Sequence, residues 1–99
     1  MTEPRYILSS RAAQHIAEML TSIAAKNPKT AAQLVHDLEN AFDQIGRWPH
    51  LGRARPDLTS APLKFWTIER RYIVAYEPHN RPVLILGIFH GARDWPTLL

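Results

Sequence analysis

The sequence of 99 residues contains no cysteine, only four glycines and no apolar stretch of membrane-spanning length. Without cysteine the chain has no disulfide framework, no thiol nucleophile and no cysteine-ligated zinc or iron–sulfur site. The longest apolar run, Val83 to Phe89, is about a third of the roughly 20 residues that a bilayer requires. The segment from Met1 to Ser10 also lacks a signal-peptide hydrophobic stretch, so we expect an unexported, cytoplasmic protein without membrane contact.

Motifs for metal and cofactor chemistry are equally scarce. No two of the five histidines are spaced three or four residues apart, as a helical metal site would require. Gly87 and Gly91 alone do not form a phosphate-binding loop, and no serine stands in a nucleophile-elbow setting. The sequence therefore predicts a protein without a metal ion or a cofactor.

What is present is the composition of one small globular domain over residues 1–99, with 45% hydrophobic and 21% charged residues. Residues 1–46 hold four Lys/Arg and five Asp/Glu, whereas residues 47–99 hold eight and four. Nine of the twelve basic residues are arginine, which binds carboxylate and phosphate in a bidentate manner. We expect the basic second half to face an acidic polypeptide or a nucleic acid.

Local patterns predict one strand, two helices and three further strands. Apolar residues recur at helical spacing in two segments; Ser9 or Ser10 caps the first helix and Asn27-Pro28 opens the second. The short connection predicts an antiparallel helix hairpin, and Gly46 is predicted to end it in a left-handed conformation. The predicted elements are strand Arg5–Ser9, helices Arg11–Lys26 and Pro28–Gly46, a structured loop to Leu63, and strands Leu63–Glu69, Tyr72–Glu77 and Val83–His90.

This order predicts a two-layer α+β domain whose last three strands form an antiparallel meander, because their connections are short. Apolar side chains alternate onto both faces of the predicted sheet at Phe65, Trp66, Ile73 and Val74. Two helices cover only one face. The second face needs the C-terminal tail with Trp95, a second copy of the chain or another polypeptide, and the extent of apolar surface favours another polypeptide.

The basic half also holds the residue types that RNA cleavage requires, namely a base, an acid and phosphate-binding cations. Lys64 is the candidate base and His90 the candidate acid. The candidate phosphate ligands are Arg53, Arg55, Arg70, Arg71 and Arg93. Because arginines at strand ends are also the usual solvated rim of a sheet, the sequence alone does not assign them a catalytic role.

Three segments resemble the RelE/ParE superfamily of bacterial toxins: PHLGRARPDL (49–58), RRYIVAYEP (70–78) and ILGIFHGARDW (85–95). Together with the order of elements, the resemblance extends over nearly the whole chain. It implies the toxin of a type II toxin–antitoxin pair, neutralised by a cognate antitoxin whose acidic, disordered tail folds onto the toxin in a higher-order assembly.

Within the superfamily the sequence is more similar to the ParE branch of plasmid-stabilisation toxins. An apolar residue, Ile73, occupies the central-strand position where ribonuclease members carry arginine, and no tyrosine or histidine follows Arg93. The resemblance implies growth inhibition through protein–protein binding to DNA gyrase, without catalytic residues. The alternative is a RelE-like, ribosome-dependent mRNA endoribonuclease that would use Lys64, His90 and Arg93.

Under the ParE interpretation, antitoxin and target contacts are predicted from the basic half and the apolar strands. The predicted contact residues are Arg53, Arg55, Phe65, Trp66, Arg71, Ile73, Arg93 and Trp95.

Overall fold

The computed structural model describes residues 4–90 and arranges them as a four-stranded sheet with two helices on one face. The elements are β1 (Tyr6–Leu8), α1 (Ser10–Lys26), α2 (Pro28–Arg47), a single 3-10 turn (Pro49–Leu51), β2 (Lys64–Ile68), β3 (Tyr72–Glu77) and β4 (Val83–His90). The predicted α+β order is confirmed, and the bounds of β3 and β4 match the prediction. Among residues 4–90, no helix is both long and apolar enough to span a bilayer.

The strands lie in the order β1, β4, β3, β2, so the first strand of the chain is next to the last. β2, β3 and β4 form the predicted antiparallel meander, whereas β1 runs parallel to β4. A parallel neighbour cannot be joined by a tight turn and needs a long connection. The two helices are part of that connection and carry the chain from one edge strand, β1, to the opposite edge strand, β2.

α2 begins at Pro28 as predicted, and α1 begins at Ser10, one residue before the predicted start. Ser9 caps α1 by accepting a hydrogen bond from the backbone N–H of Ala12 at 3.0 Å. Asn27 is the single residue between the helices, and its side chain caps α2 by accepting from two backbone N–H groups. Pro28 at the first helical position removes no hydrogen bond, because that N–H has no intrahelical acceptor.

Ser9 has a second contact that makes it more than a helix cap. Its hydroxyl donates to the carbonyl oxygen of Leu86 in β4 at 3.1 Å, so one side chain joins the start of α1 to the sheet. Ser9→Ala is expected to lower the free energy of unfolding by about 1 to 2 kcal/mol, because both hydrogen bonds are lost. Urea denaturation followed by circular dichroism measures this. Ser22→Ala, within α1 and away from the cap, is the control, and an equal effect of the two substitutions would contradict the double role.

The prediction that Gly46 ends α2 in a left-handed conformation is wrong. The helix continues through Arg47, and Trp48 is its C-terminal cap. Glycine is needed at position 46 for another reason: a Cβ atom there would lie 2.7 Å from the Cβ of Arg5 and 3.0 Å from its carbonyl oxygen. The absence of a side chain therefore lets the segment before β1 cross close to the last turn of α2.

The main core lies between the helices and one face of the sheet. Phe42 of α2 packs against the ring of Tyr6, with 5.3 Å between ring centroids. Most of the apolar residues that recur at helical spacing in α1 and α2 are buried or partly buried, although Val35 of α2 is 38% exposed. The buried members of this cluster are Ala12, Ile16, Leu34, Leu38, Ala41, Phe42, Ile45, Ile68, Val74, Tyr76, Val83, Ile85 and Ile88.

The second face of the sheet carries a smaller apolar core, and this overturns the expectation that another polypeptide must cover it. Phe65, Ala75 and Phe89 are 4%, 0% and 2% exposed in the single chain. Leu63, from the segment before β2, is buried with them, and Leu58 packs against the same cluster. The segment between the 3-10 turn and β2 thus contributes apolar cover to this face.

A β-bulge explains why β4 is apolar at consecutive positions. Gly87 lies opposite Ala75, but Ile85 lies opposite the next residue, Tyr76, so Leu86 is the extra residue in β4. The bulge shifts the alternation of side chains, so that Ile85 and Ile88 both join the helix-side core. Phe89 then points to the second face.

Candidate partner-binding site

The outer edge of β2 is paired with the rest of the chain at one point only among the described residues. Phe65 exchanges both backbone hydrogen bonds with Arg53, at 2.8 and 2.9 Å, in an isolated antiparallel bridge. Beyond Arg53 the chain turns away through Gly52 into the 3-10 turn. The segment that contains Arg53 therefore pairs with β2 through one residue only and then leaves the edge.

Thr67 is left with an open backbone at this edge. Backbone groups of a strand alternate in direction, and those of Phe65 point away from β3, so those of Thr67 point away from β3 as well. Within the described part of the chain, neither the N–H nor the C=O of Thr67 has a partner on that side. An unpaired edge of this kind is a template for another strand.

A groove of about 260 Å³ opens where the bridge leaves β2. Its lining residues are Leu51, Arg53, Phe65, Trp66 and Thr67. Leu51 is 45% exposed, and Trp48, which immediately precedes the 3-10 turn, is 55% exposed. The guanidinium of Arg47 lies 5.9 Å from the centre of the Trp48 ring, within the range of a cation–π contact.

A buried tyrosine fixes the turn that forms one wall of the groove. The hydroxyl of Tyr76 donates to the carbonyl oxygen of Pro49 at 2.7 Å and accepts from the N–H of Gly52 at 2.9 Å. Burial raises the pKa of Tyr76, and the hydrogen bond from Gly52 lowers it by less. The Nζ of Lys64 also donates to the carbonyl oxygen of Gly52 at 3.4 Å. The groove is thus held by hydrogen bonds from the sheet.

The charge around the groove is positive. In the described structure neither Arg53 nor Lys64 forms an ion pair, and none of the five lining residues is acidic. Arg55, close by in sequence, is held by Asp57 through two hydrogen bonds of 3.0 and 2.8 Å. That pairing lowers the pKa of Asp57. An acidic ligand would therefore meet the uncompensated cations Arg53 and Lys64.

The turn between β2 and β3 is strained. Glu69 and Arg70 have φ values of 51° and 60°, a left-handed conformation that tight hairpin turns usually reserve for asparagine and glycine. The turn also places Glu69 beside Asp37 of α2, and hydrogen bonding and charge repulsion from Asp37, with some desolvation, raise the pKa of Glu69. Arg71 partly offsets this increase.

Glu69→Gln is expected to stabilise the chain at neutral pH. The folded-state pKa of Glu69 lies above its ordinary value of 4.5, so folding is favoured when Glu69 is protonated and is weakened as the pH rises through the folded-state pKa. The variant should unfold at higher urea than the parent at pH 7, and its advantage should shrink as the pH falls through the folded-state pKa and be absent below about pH 4.5, the ordinary value. Glu18→Gln, on exposed α1 surface, is the control. An advantage of Glu69→Gln that does not change with pH would contradict the repulsion from Asp37.

A family model for the ParE toxin of type II toxin–antitoxin systems, parDE, matches residues 6–95. The chain belongs to the ParE toxin family. The toxin is also similar in fold to a solved chain described as the chromosomal ParDE TA system from P. aeruginosa, with a TM-score of 0.69 over 86% of the toxin and 92% of that chain. The two are 18% identical, so this similarity concerns the fold. No protein of curated function matches the toxin's sequence significantly.

The structure brings three of the predicted contact residues of the toxin together. Arg53, Phe65 and Trp66 line the groove at the edge of β2. Phe65 and Trp66 nevertheless contribute their side chains to opposite faces of the sheet, since Phe65 belongs to the second core and Trp66 packs against the main one. Phe65 is 4% exposed, so little of its side chain is available to a partner.

The other predicted contact residues lie apart from this groove or beyond the described chain. Ile73 packs in the second core, and Arg71 lines a depression beside Asp37 and the β2–β3 turn. Arg93 and Trp95 lie outside the described residues. The sequence analysis did not identify Leu51 or Thr67 as contact residues. For Leu51, the nearby prolines and glycines do indicate that an apolar residue lies in a loop, whereas no sequence pattern indicates the open backbone of Thr67.

The residues that a ribonuclease would need are separated by the sheet register. Lys64 lies opposite Tyr76 and His90 lies opposite Tyr72, at the two ends of β3. Four residues of strand separate these positions by roughly 13 Å along the sheet. His90 is exposed, and its ring lies 5.3 Å from that of Tyr72. Across residues 4–90, no three His, Asp or Glu side chains group as a metal site would require.

Proposed function

We propose that this ParE-family toxin acts in the cytoplasm by binding DNA gyrase and trapping the gyrase–DNA cleavage complex, and that a cognate antitoxin neutralises it in a higher-order assembly. The observation that carries this proposal is the ParE family match over residues 6–95, which extends through every described strand and helix. Inhibition by binding requires a complementary surface and no reacting side chain. We take the groove at the edge of β2 as the candidate for this surface.

The separation of Lys64 from His90 favours binding over RNA cleavage. A general base and a general acid that act on one phosphate must both come within hydrogen-bond reach of it. The backbones of Lys64 and His90 lie roughly 13 Å apart along the strands and two strand spacings of about 4.8 Å apart across them, so the sheet does not place the two groups side by side. Ile73, at the position where ribonuclease members carry arginine, is packed in the second core and offers no charge to a phosphate.

Controlled expression of the toxin distinguishes the two activities. The proposal predicts that induction stops growth, that purified toxin increases DNA cleavage by purified gyrase, and that messages remain intact in primer extension. His90→Ala, which removes the candidate acid away from the groove, should leave the gyrase effect in place. Discrete cuts in ribosome-bound messages, lost in Lys64→Ala or Arg93→Ala and without any effect on gyrase, would instead establish the endoribonuclease.

A further inference from the structure

We propose that the groove at the outer edge of β2 binds an extended, acidic segment of the antitoxin, which adds a short strand to the sheet beside Thr67. This inference rests on the proposed function only in taking the antitoxin as the source of the segment. The location and the mode of binding follow from the backbone, the apolar surface and the charge of the groove.

The backbone gives the mode of binding. Thr67 directs one N–H and one C=O outward, two residues beyond the point where Phe65 is already paired with Arg53. An added segment would therefore continue, along the same edge, the hydrogen-bond pattern that the chain itself begins. In strand addition these main-chain hydrogen bonds contribute affinity, and pockets for alternate side chains contribute specificity.

The apolar surface gives the segment a place to anchor. Leu51, on the wall of the groove formed by the 3-10 turn, is 45% exposed, and Trp66 of β2 is half-buried. Since side chains of a strand alternate, one apolar side chain of an added segment can enter the groove while its neighbours face solvent. Exposed Trp48, next to the same turn, extends the apolar surface.

The charge selects an acidic segment and distinguishes this edge from the other one. Arg53 lines the groove, Lys64 reaches the carbonyl oxygen of Gly52 in its wall, and neither cation pairs with a carboxylate among the described residues. The opposite edge, β1, also exposes apolar residues, with Ile7 at 41%. There, however, Arg5 is already paired with Asp43 at 3.6 Å. The β2 edge is therefore the one whose cations are available to aspartate and glutamate.

The test is a competition assay with the protein encoded by the gene adjacent to that of the toxin. Each toxin variant competes with tagged parental toxin for this protein, and circular dichroism verifies that each variant is folded. Leu51→Glu, Arg53→Glu and Thr67→Pro are each expected to weaken binding by about tenfold or more. Proline at position 67 removes the outward N–H without removing a bond to β3, and Thr67→Val, which keeps the N–H, should bind about tenfold more tightly than Thr67→Pro.

Ile7→Glu is the matched control, because it places the same charge on the opposite edge strand at similar exposure. The proposal would be overturned if Leu51→Glu and Thr67→Pro competed as well as the parental toxin. It would also be overturned if only Ile7→Glu lost binding. Two other occupants are tested in parallel. The proposal would also be overturned if the toxin alone formed a dimer that Leu51→Glu dissociates. The same holds if the groove variants lost binding to a single-stranded RNA oligonucleotide but kept binding to the adjacent gene's protein.

The same experiments distinguish failure of the proposed function from failure of the proposed binding site. If the adjacent gene's protein neither binds the toxin nor restores growth, the toxin–antitoxin assignment of the pair is wrong. If it restores growth and binds all groove variants equally, the assignment stands and the β2 edge is not the binding site.

Discussion

Replacing Phe65 by alanine is expected to lower the free energy of unfolding by about 3 to 5 kcal/mol, as is usual for a buried phenylalanine. Phe65 is 4% exposed and packs with Ala75 and Phe89 in the core on the second face. Removing its ring leaves a cavity between β2, its neighbours and the segment before it. A loss of this size is a large part of the roughly 5 to 15 kcal/mol that stabilises a domain of this length. Urea denaturation of the isolated chain measures it.

Trp48→Ala is the matched control for Phe65→Ala, because it removes a larger aromatic side chain from a site that is 55% exposed. It should change the free energy of unfolding by no more than about 0.5 to 1 kcal/mol. Equal effects of the two substitutions would mean that the second face is not a core of the isolated chain. The face would then need a partner, as the sequence alone suggests.

The second large effect is expected at Gly52, where alanine should destabilise the chain by about 2 to 4 kcal/mol. A Cβ atom at position 52 would collide with the hydroxyl of Tyr76 and lie 2.9 Å from the carbonyl oxygen of Phe65. The backbone carbonyl cannot rotate away without breaking the bridge to Arg53. Relief of the collision would therefore displace the loop and break the hydrogen bonds of Tyr76 to Pro49 and Gly52.

A double-mutant cycle with Tyr76→Phe separates the collision from the lost hydrogen bonds. Tyr76→Phe alone should cost about 1 to 3 kcal/mol, because it leaves a buried N–H and a buried C=O without their partner. In that background Gly52→Ala should cost less than in the parent, since part of the obstruction is gone. Strictly additive effects of the two substitutions would contradict the contact between position 52 and the hydroxyl.

Much of the fold follows from local sequence. Ser9, Asn27 and Pro28 mark the helix starts because capping depends on the side chain at one position and its immediate neighbours. The meander of β2, β3 and β4 follows from short connections, which leave antiparallel pairing as the possible arrangement. These features need no knowledge of residues distant in the sequence, and the structure confirms them.

The features that sequence reasoning misses depend on distant contacts. A left-handed Gly46 is the local expectation because glycine often ends helices, but its role is set by Arg5, far earlier in the chain. The bulge at Leu86 is visible only once β3 and β4 are paired. The cover of the second face by Leu63 depends on a loop whose path has no local periodicity.

The candidate site is predictable only in part for the same reason. Charge and aromatic character single out Arg53, Phe65 and Trp66, and these residues do lie around one groove. The sequence does not show that Phe65 is buried or that Thr67 has an open backbone, because the first depends on packing against Phe89 in the second core and the second on where the Arg53 bridge ends. Among residues 4–90, the apolar side chains exposed beside the candidate site therefore lie at an edge of the sheet, whereas Phe65, Ala75 and Phe89 on the second face are buried.

Amide hydrogen exchange at Thr67, in the free toxin and in its complex with the adjacent gene's protein, tests the central claim most directly. In the free toxin the Thr67 amide should exchange rapidly, whereas the Phe65 amide, bonded to Arg53, should already be slow. Strand addition predicts that the Thr67 amide slows by about tenfold or more in the complex. A stable complex in which the Thr67 amide exchanges as fast as in the free toxin would contradict the account.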